Sequence, residues 1–408
     1  MRVAWTADGE SWRLDFRLDP EDSLTGTVTD GARVLLATNS CAVRLPRPLA
    51  DVHPDLLALA AWTVVAPYTR RRIAFDRPVS PGVAAAIELG WGIEAGPVGG
   101  TPRDGSRLAV SYSGGADSAA VAAILRDAPL VHFQRVSHPR VPNRWAHYRS
   151  DVLARLAVAT GRELAVVRSD LEFTLAEPRP GYPEHHAVAA GAALLADELD
   201  LGGIAFGYEM GSRWLGGGRY LLRYTPDNPM WSATGKWGTL FAAAGLRLVL
   251  PVGGVSEATT MRIALGSELR EQVRWCLRGD DGGACGTCGK CLYKELIRAA
   301  IERRPLDTPI TADRPVAAKW QKPPPYGGQE MIEYGCARVP GIESTPFATA
   351  ARHLGATVES TSWLDRCYPP ALEEIPDPWR KQVEDFMAEE VGLMSEDEVR
   401  RVESWGAR

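Results

Sequence analysis

Between residues 1 and 45 apolar and polar positions alternate. Val3 and Trp5 are followed by Trp12, Leu14 and Phe16, then by Val28 and by Val34, Leu35 and Leu36. A period of two predicts strands, and Asp8-Gly9 and Asp30-Gly31 predict turns between them, so this stretch reads as a small antiparallel sheet. Residues 53–66 (HPDLLALAAWTVVA) carry a buried helical pattern that Asp55 helps open and Pro67 stops. Ser80-Pro81-Gly82 starts a second helix through about Leu89. Residues 92–106 are rich in Gly and Pro and read as a linker.

Beyond the linker the pattern changes. Short continuous apolar runs at 107–112, 130–133, 164–167, 203–206 and 246–252 alternate with helical stretches at 117–126, roughly 144–160 and 184–199. Strands that are apolar on both faces and separated by helices predict a parallel sheet covered on both sides. The fold expected is α/β: an open parallel sheet of about five strands over 105–304. An α+β unit over 1–104 precedes it, and an extension over 305–408 follows. That extension reads as loop-rich to about 345 and as one or two amphipathic helices from about Asp377 to Trp405. Ser395 and Glu398 there have the spacing of a capping box. No internal repeat is present.

Composition narrows the function classes. The chain has 408 residues, 45% of them hydrophobic and 24% charged, which excludes wholesale disorder and suits two or three domains. No apolar run approaches the ~18–20 residues that span a bilayer. The first residues lack an apolar core with a cleavage site, so no secretory signal is expected. A net charge of -5 argues against a broad nucleic-acid-coating surface. Seven cysteines, an odd number, argue against a disulfide scaffold and for a reducing cytoplasm.

Two motifs carry chemistry. The first is Ser111-Tyr112-Ser113-Gly114-Gly115-Ala116-Asp117-Ser118, between a predicted strand and a predicted helix. Glycines let the backbone approach an anion, and the helix start offers unpaired N–H groups and the positive end of a dipole. Ser113 and Ser118 add hydroxyls. Asp117 would repel bare phosphate, which implies a bridging Mg²⁺ or a role on the attacking water or amine. The loop is neither a Walker A sequence nor GxGxxG; the bland reading is a Gly-rich strand-to-helix turn. The second motif is Cys276, Cys285, Cys288 and Cys291, four soft ligands in one loop over 276–291. A closed all-cysteine set suits structural tetrahedral Zn²⁺, with an iron–sulfur cluster as the alternative. Arg278, Lys290 and Lys294 lie close enough in sequence to offset its charge.

The glycine loop resembles the SGGxDS signature of the PP-loop ATP pyrophosphatases, which cleave ATP between the α- and β-phosphates and leave AMP on a substrate oxygen. Loop and cysteines together resemble the 7-cyano-7-deazaguanine synthase family, over roughly 105–302. That resemblance implies an adenine nucleotide α-hydrolase fold, ATP, Mg²⁺ and structural Zn²⁺ as cofactors, and an ATP-dependent C–N ligase. Such an enzyme adenylates the carboxylate of 7-carboxy-7-deazaguanine. The amine that attacks next is ammonia, giving amide and then nitrile, or an amine on a protein partner, as relatives in antiviral operons suggest. It implies Ser111, Ser113, Gly114, Gly115, Asp117 and Ser118 at the phosphates, and Phe133, Gln134 and Arg135 at the nucleotide after the second strand. Asp117, Ser118 and Lys294 would be catalytic. Members are often homodimers.

The chain departs from the family pattern at Glu184-His185-His186 and at Pro226-Asp227-Asn228-Pro229. His185, His186, Glu209 and Asp227 are therefore the candidates for contacting the acid, each with an ordinary structural role as its competitor. Arg213, Arg219 and Arg223 form a weaker phosphate-clamp candidate, and His132, Trp62, Trp231 and Trp237 read as core. The alternatives to this ligase are another PP-loop or tRNA-modifying enzyme and a non-catalytic nucleotide-binding module. Residues 1–104 and 305–408 carry no recognised motif, and their bulk suggests a protein partner or a second substrate.

Overall fold

The computed structural model describes residues 1–29, 31–136, 156–158, 160–178, 181, 183–215, 234–276, 284–307 and 315–405. Most of the predicted helix over 144–160, and Asp227, Arg219, Arg223, Trp231 and Arg278, lie outside them.

Five strands follow the predicted order: β8 (Arg107–Ser111), β9 (Leu130–Arg135), β10 (Leu164–Ser169), β11 (Leu201–Ala205) and β12 (Arg247–Val249). They are parallel and lie in the order β10-β9-β8-β11-β12, so the chain reverses direction across the sheet at β8. They do not form a free-standing five-stranded sheet. The edge of β10 is paired antiparallel by β5 (Ser40–Arg44), with Ser169 opposite Val43. Beyond β5 come β2 (Ser11–Arg17), β1 (Arg2–Asp8), β6 (Arg72–Val79) and β7 (Glu94–Val98), which makes ten strands in one mixed sheet. The expected small antiparallel sheet is thus a continuation of the parallel one. An unpaired strand edge leaves a row of N–H and C=O groups unsatisfied, and β5 satisfies that row on β10. A separate hairpin, β3 (Thr25–Thr27) with β4 (Arg33–Leu35), lies off the main sheet.

Residues 92–106 are not a linker. They contain β7, parallel to β6, where Pro97 is tolerated because β7 is an edge strand. Arg103 then straps the chain down: its guanidinium donates to Leu201 O at 2.6 Å, Gly245 O at 2.8 Å, Ala196 O at 2.7 Å and Asp197 Oδ1 at 2.6 Å.

Two cores form on opposite faces. On one face the helices Pro54–Val65 and Pro81–Trp91 pack on Ala190–Leu195 and Lys236–Ala243, burying Trp12, Trp62, Trp237 and Phe241. His53 and Ser80 cap the first two helices, and a proline at the start of each has no N–H to satisfy. The expected helix over 184–199 opens as a 3₁₀ turn, His185–Ala189, before Ala190–Leu195. On the other face lie Ala116–Ile124, Glu257–Gly266, Gly289–Glu302 and nearly all of the C-terminal extension. The 305–345 stretch is not all loop. Gln329–Arg338 is a helix, and Gly335 lets it press on Leu296, since a Cβ there would lie 2.3 Å from Leu296 Cγ. Asp377–Phe386 and Glu396–Glu403 are the two amphipathic helices, and the Ser395/Glu398 capping box is present. Trp379 packs against Gly203 of β11, where a Cβ would come within 2.6 Å of its ring.

Removing the strap tests this arrangement. Arg103→Ala leaves three carbonyls without their donor and Asp197 without its cation, and is expected to destabilise the protein by about 3 kcal/mol, read as a lower urea midpoint.

Candidate functional site

Parallel strands place their C-terminal ends together, and at the topological reversal two loops diverge and leave a crevice. Ser111 ends β8 there, and the loop after it turns at Gly114, whose φ of +76° is a left-handed conformation that glycine adopts without strain. Gly115 is the N-cap of helix Ala116–Ile124 and supplies no side-chain cap, so the first N–H groups of the helix are left for another acceptor. The Ser113 and Ser118 hydroxyls lie 3.1 Å apart, and Ser118 Oγ accepts from Ser113 N and donates to Gly115 O. Both hydroxyls therefore sit inside the loop. Gly207, just beyond β11, comes so close that a Cβ would meet Ser118 N at 2.6 Å.

The Asp117 carboxylate meets side chains of two other helices. Thr260 Oγ1 donates to its Oδ1 at 2.5 Å, and Lys294 Nζ lies 3.7 Å from its Oδ2. Lys294 is buried and forms a closer ion pair with Glu257 Oε1. Burial alone would drive Lys294 toward neutrality, but Asp117 and Glu257 outweigh it and hold its pKa above the ordinary lysine value.

From Asp117 a cavity of about 480 Å³ opens on the β11 side. Its walls are Gly207 to Ser212, the starts of helices Glu257–Gly266 and Gly289–Glu302, and Lys319, Gly328 and Glu330 from the C-terminal extension. Glu209 accepts from the backbone N–H groups of Gly211 and Ser212 and from Ser212 Oγ at 2.7 Å. Even so, burial and the neighbouring Glu257 and Asp117 push its pKa up to about 8. Burial, reinforced by Glu257 and Glu333, pushes Glu330 up to about 7. Tyr293 is raised well above the ordinary tyrosine value, again by burial first and then by Glu257 and Glu330.

The cysteines form a second centre beside the first. The Sγ pairs Cys276–Cys288, Cys285–Cys291 and Cys288–Cys291 are 3.9, 3.8 and 3.6 Å apart. Tetrahedral Zn–S bonds of ~2.3 Å place sulfurs ~3.8 Å apart, so this set fits a structural ion such as zinc. Among the described residues it is the one group of His, Cys, Asp and Glu side chains at metal-ligand spacing. Cys288 also N-caps helix Gly289–Glu302, its Sγ accepting from Cys291 N. The segment entering the cluster is tied to the glycine loop, with Arg274 N donating to Gly114 O at 2.7 Å.

The other candidates are placed differently. Phe133, Gln134 and Arg135 do end β9 beside the loop, but Arg135 Nε is committed to Glu172 Oε2 at 2.7 Å, and Gln134 Oε1 accepts from Arg168. His186 lies in the first core, stacked on the Trp237 indole at 4.7 Å between centroids. Its neighbour His185 is half-buried beside Gly181. Neither histidine lines the Asp117 cavity. Arg213 is a buried partner of Glu374 at 2.7 Å and stacks on Trp214, so it is neither a surface residue nor available to clamp a phosphate. His132, Trp62 and Trp237 are core residues, and burial lowers the His132 pKa to about 4. Sequence reading overlooked Glu257, Thr260, Tyr293, Lys319 and Glu330. Their one local signal is position at or near a helix start, in Ser256-Glu257 and in Gly327-Gly328-Gln329-Glu330.

A family model described as "Family of unknown function (DUF6395)" matches residues 236–406, which include Glu257, the cysteines, Lys294 and Glu330. No curated protein and no solved structure matches the chain.

Two outcomes test this site. Purified protein is expected to carry about one zinc ion per chain by atomic emission, and Cys288→Ser to lose it together with several kcal/mol of stability. Carboxyls with raised native pKa values bind more protons folded than unfolded, so stability falls as pH rises from about 4.5 toward about 8. Glu209→Gln should therefore unfold at the wild-type denaturant concentration at pH 4.5. At pH 8.5 it should be more stable than wild type by at least ~1 kcal/mol.

Proposed function

We propose that the chain is an ATP-dependent adenylating ligase of the PP-loop type. It would activate the carboxylate of a 7-deazaguanine acid and transfer the acyl group to an amine. The observation that carries this reading is the position of Asp117. It sits between an uncapped helix start behind a Ser-Gly-Gly turn, suited to phosphate, and a cavity of about 480 Å³, suited to a second substrate. The parallel strand order β10-β9-β8-β11-β12, with the loop after the central β8, supports the same reading.

In this mechanism the acid's carboxylate oxygen attacks the α-phosphorus of ATP, the bond to the bridging oxygen breaks, and pyrophosphate leaves. The N–H groups after Gly114 and the Ser113 and Ser118 hydroxyls would receive phosphate oxygens. Asp117 would be the residue to hold a Mg²⁺, whose charge would offset that of the departing pyrophosphate. Lys294 lies deeper, and its ammonium fixes the Asp117 and Glu257 carboxylates. The amine then attacks the acyl carbon, the C–O bond to AMP breaks, and AMP leaves with that electron pair as the nitrogen sheds a proton. The cysteine centre would be structural, since a closed set of four thiolates keeps no position open for substrate.

The test is ATP–pyrophosphate exchange with 7-carboxy-7-deazaguanine and a panel of other acids. Exchange that needs a deazaguanine acid, and that falls at least ~100-fold in Asp117→Ala, is the expected result. Exchange with no acid, or a variant as active as wild type, would refute the reading.

A further inference from the structure

Around the cavity two carboxylates lack a countercharge. Lys294 is committed to Glu257 and Asp117. Among the described residues Glu209 has only neutral donors, from Gly211 and Ser212. Glu330, 5% exposed, has no hydrogen-bond partner at Oε2 among the described residues, and it lines the cavity. The two carboxylates face each other across Gly211, where a Cβ would lie 2.8 Å from Glu209 Oε2 and 2.8 Å from Glu330 Oε1. The cavity's two other lysines, Lys290 and Lys319, form no ion pair with either among the described residues, and the Lys319 ammonium rests 4.2 Å from the Trp320 ring centroid.

Glu330 keeps an unpartnered carboxylate oxygen in a buried wall, and Glu209 across Gly211 has neutral donors; such a pair implies a ligand that brings N–H donors and, as the carboxyls ionise, positive charge. A divalent cation fits poorly, because these oxygens do not converge with a third ligand at metal spacing. We propose that Glu209 and Glu330 form the subsite for the attacking amine, which enters as a primary ammonium. This assignment rests on the ligase reading for the fate of the amine. Burial first, and then Glu257 beside both, raises these carboxyls and makes them competent to take the proton that an ammonium must lose before its lone pair can attack. The C-terminal extension thereby supplies a substrate-contacting residue to the catalytic half, through the glutamate two residues after Gly328.

The test is calorimetric titration of the full-length protein at pH 7.5 with n-butylammonium chloride, against its neutral isostere n-butanol. The wild type should bind the ammonium at least 10-fold more tightly than the alcohol. Glu330→Gln and Glu209→Gln should each lose at least 10-fold of that affinity. Glu343→Gln, an exposed charge on the same extension, should lose none. A wild type that binds both probes alike or neither, or a Glu330→Gln protein that binds the ammonium as wild type does, overturns the assignment. Pyrophosphate exchange needs no amine, so an ammonium site without exchange would sink the ligase reading and leave this subsite standing.

Discussion

The buried ammonium of Lys294 is the contact on which the site depends. It joins three elements from distant parts of the sequence: the helix that begins at the cysteine cluster, the helix that begins at Ser256, and the helix behind the glycine loop. Lys294 is buried, and the Asp117 and Glu257 carboxylates keep its ammonium charged there. Because Cys288 caps the same helix, a metal held by the four thiolates would fix where Lys294 stands. Arg274 reaches back to Gly114 from the other end of the cluster. The cysteine loop and the glycine loop are therefore tied to each other, although about 160 residues separate them.

The same dependence explains the attachments. Of the N-terminal strands β5 pairs with β10, and the helices between them pad one face of the sheet, so the N-terminal unit completes the scaffold away from the cavity. The C-terminal extension covers the opposite face and contributes Lys319, Gly328 and Glu330 to the cavity wall. One attachment serves stability and the other serves the site. The family-model match over 236–406 spans the second and not the first.

What was legible in the sequence was whatever rests on local pattern. Continuous apolar runs and their spacing gave the five parallel strands, because a strand buried on both faces must be apolar throughout. The Ser-Gly-Gly-Ala-Asp-Ser loop and the cysteine spacing were visible because glycine conformation, helix N-termini and thiolate geometry are short-range. The capping box at Ser395 was readable for the same reason. Residues 92–106 were misread because Gly and Pro mark flexible segments by composition, and composition does not register that an edge strand tolerates both.

Tertiary structure alone decided the rest. No local pattern announces that β5 will pair with β10, since strand pairing is a long-range choice made by edges needing partners. No local pattern distinguishes His186, stacked in the core, from a histidine at a ligand, nor buried Arg213 from a phosphate clamp. Glu209, Glu257 and Glu330 are ordinary acidic residues in the sequence. They come to share a cavity, and Glu209 and Glu330 acquire raised pKa values, only because folding brings these side chains together. The sequence by itself determined the strands, the loop and the candidate metal ligands as types. The burial and convergence of charge that make a site of them belong to the fold.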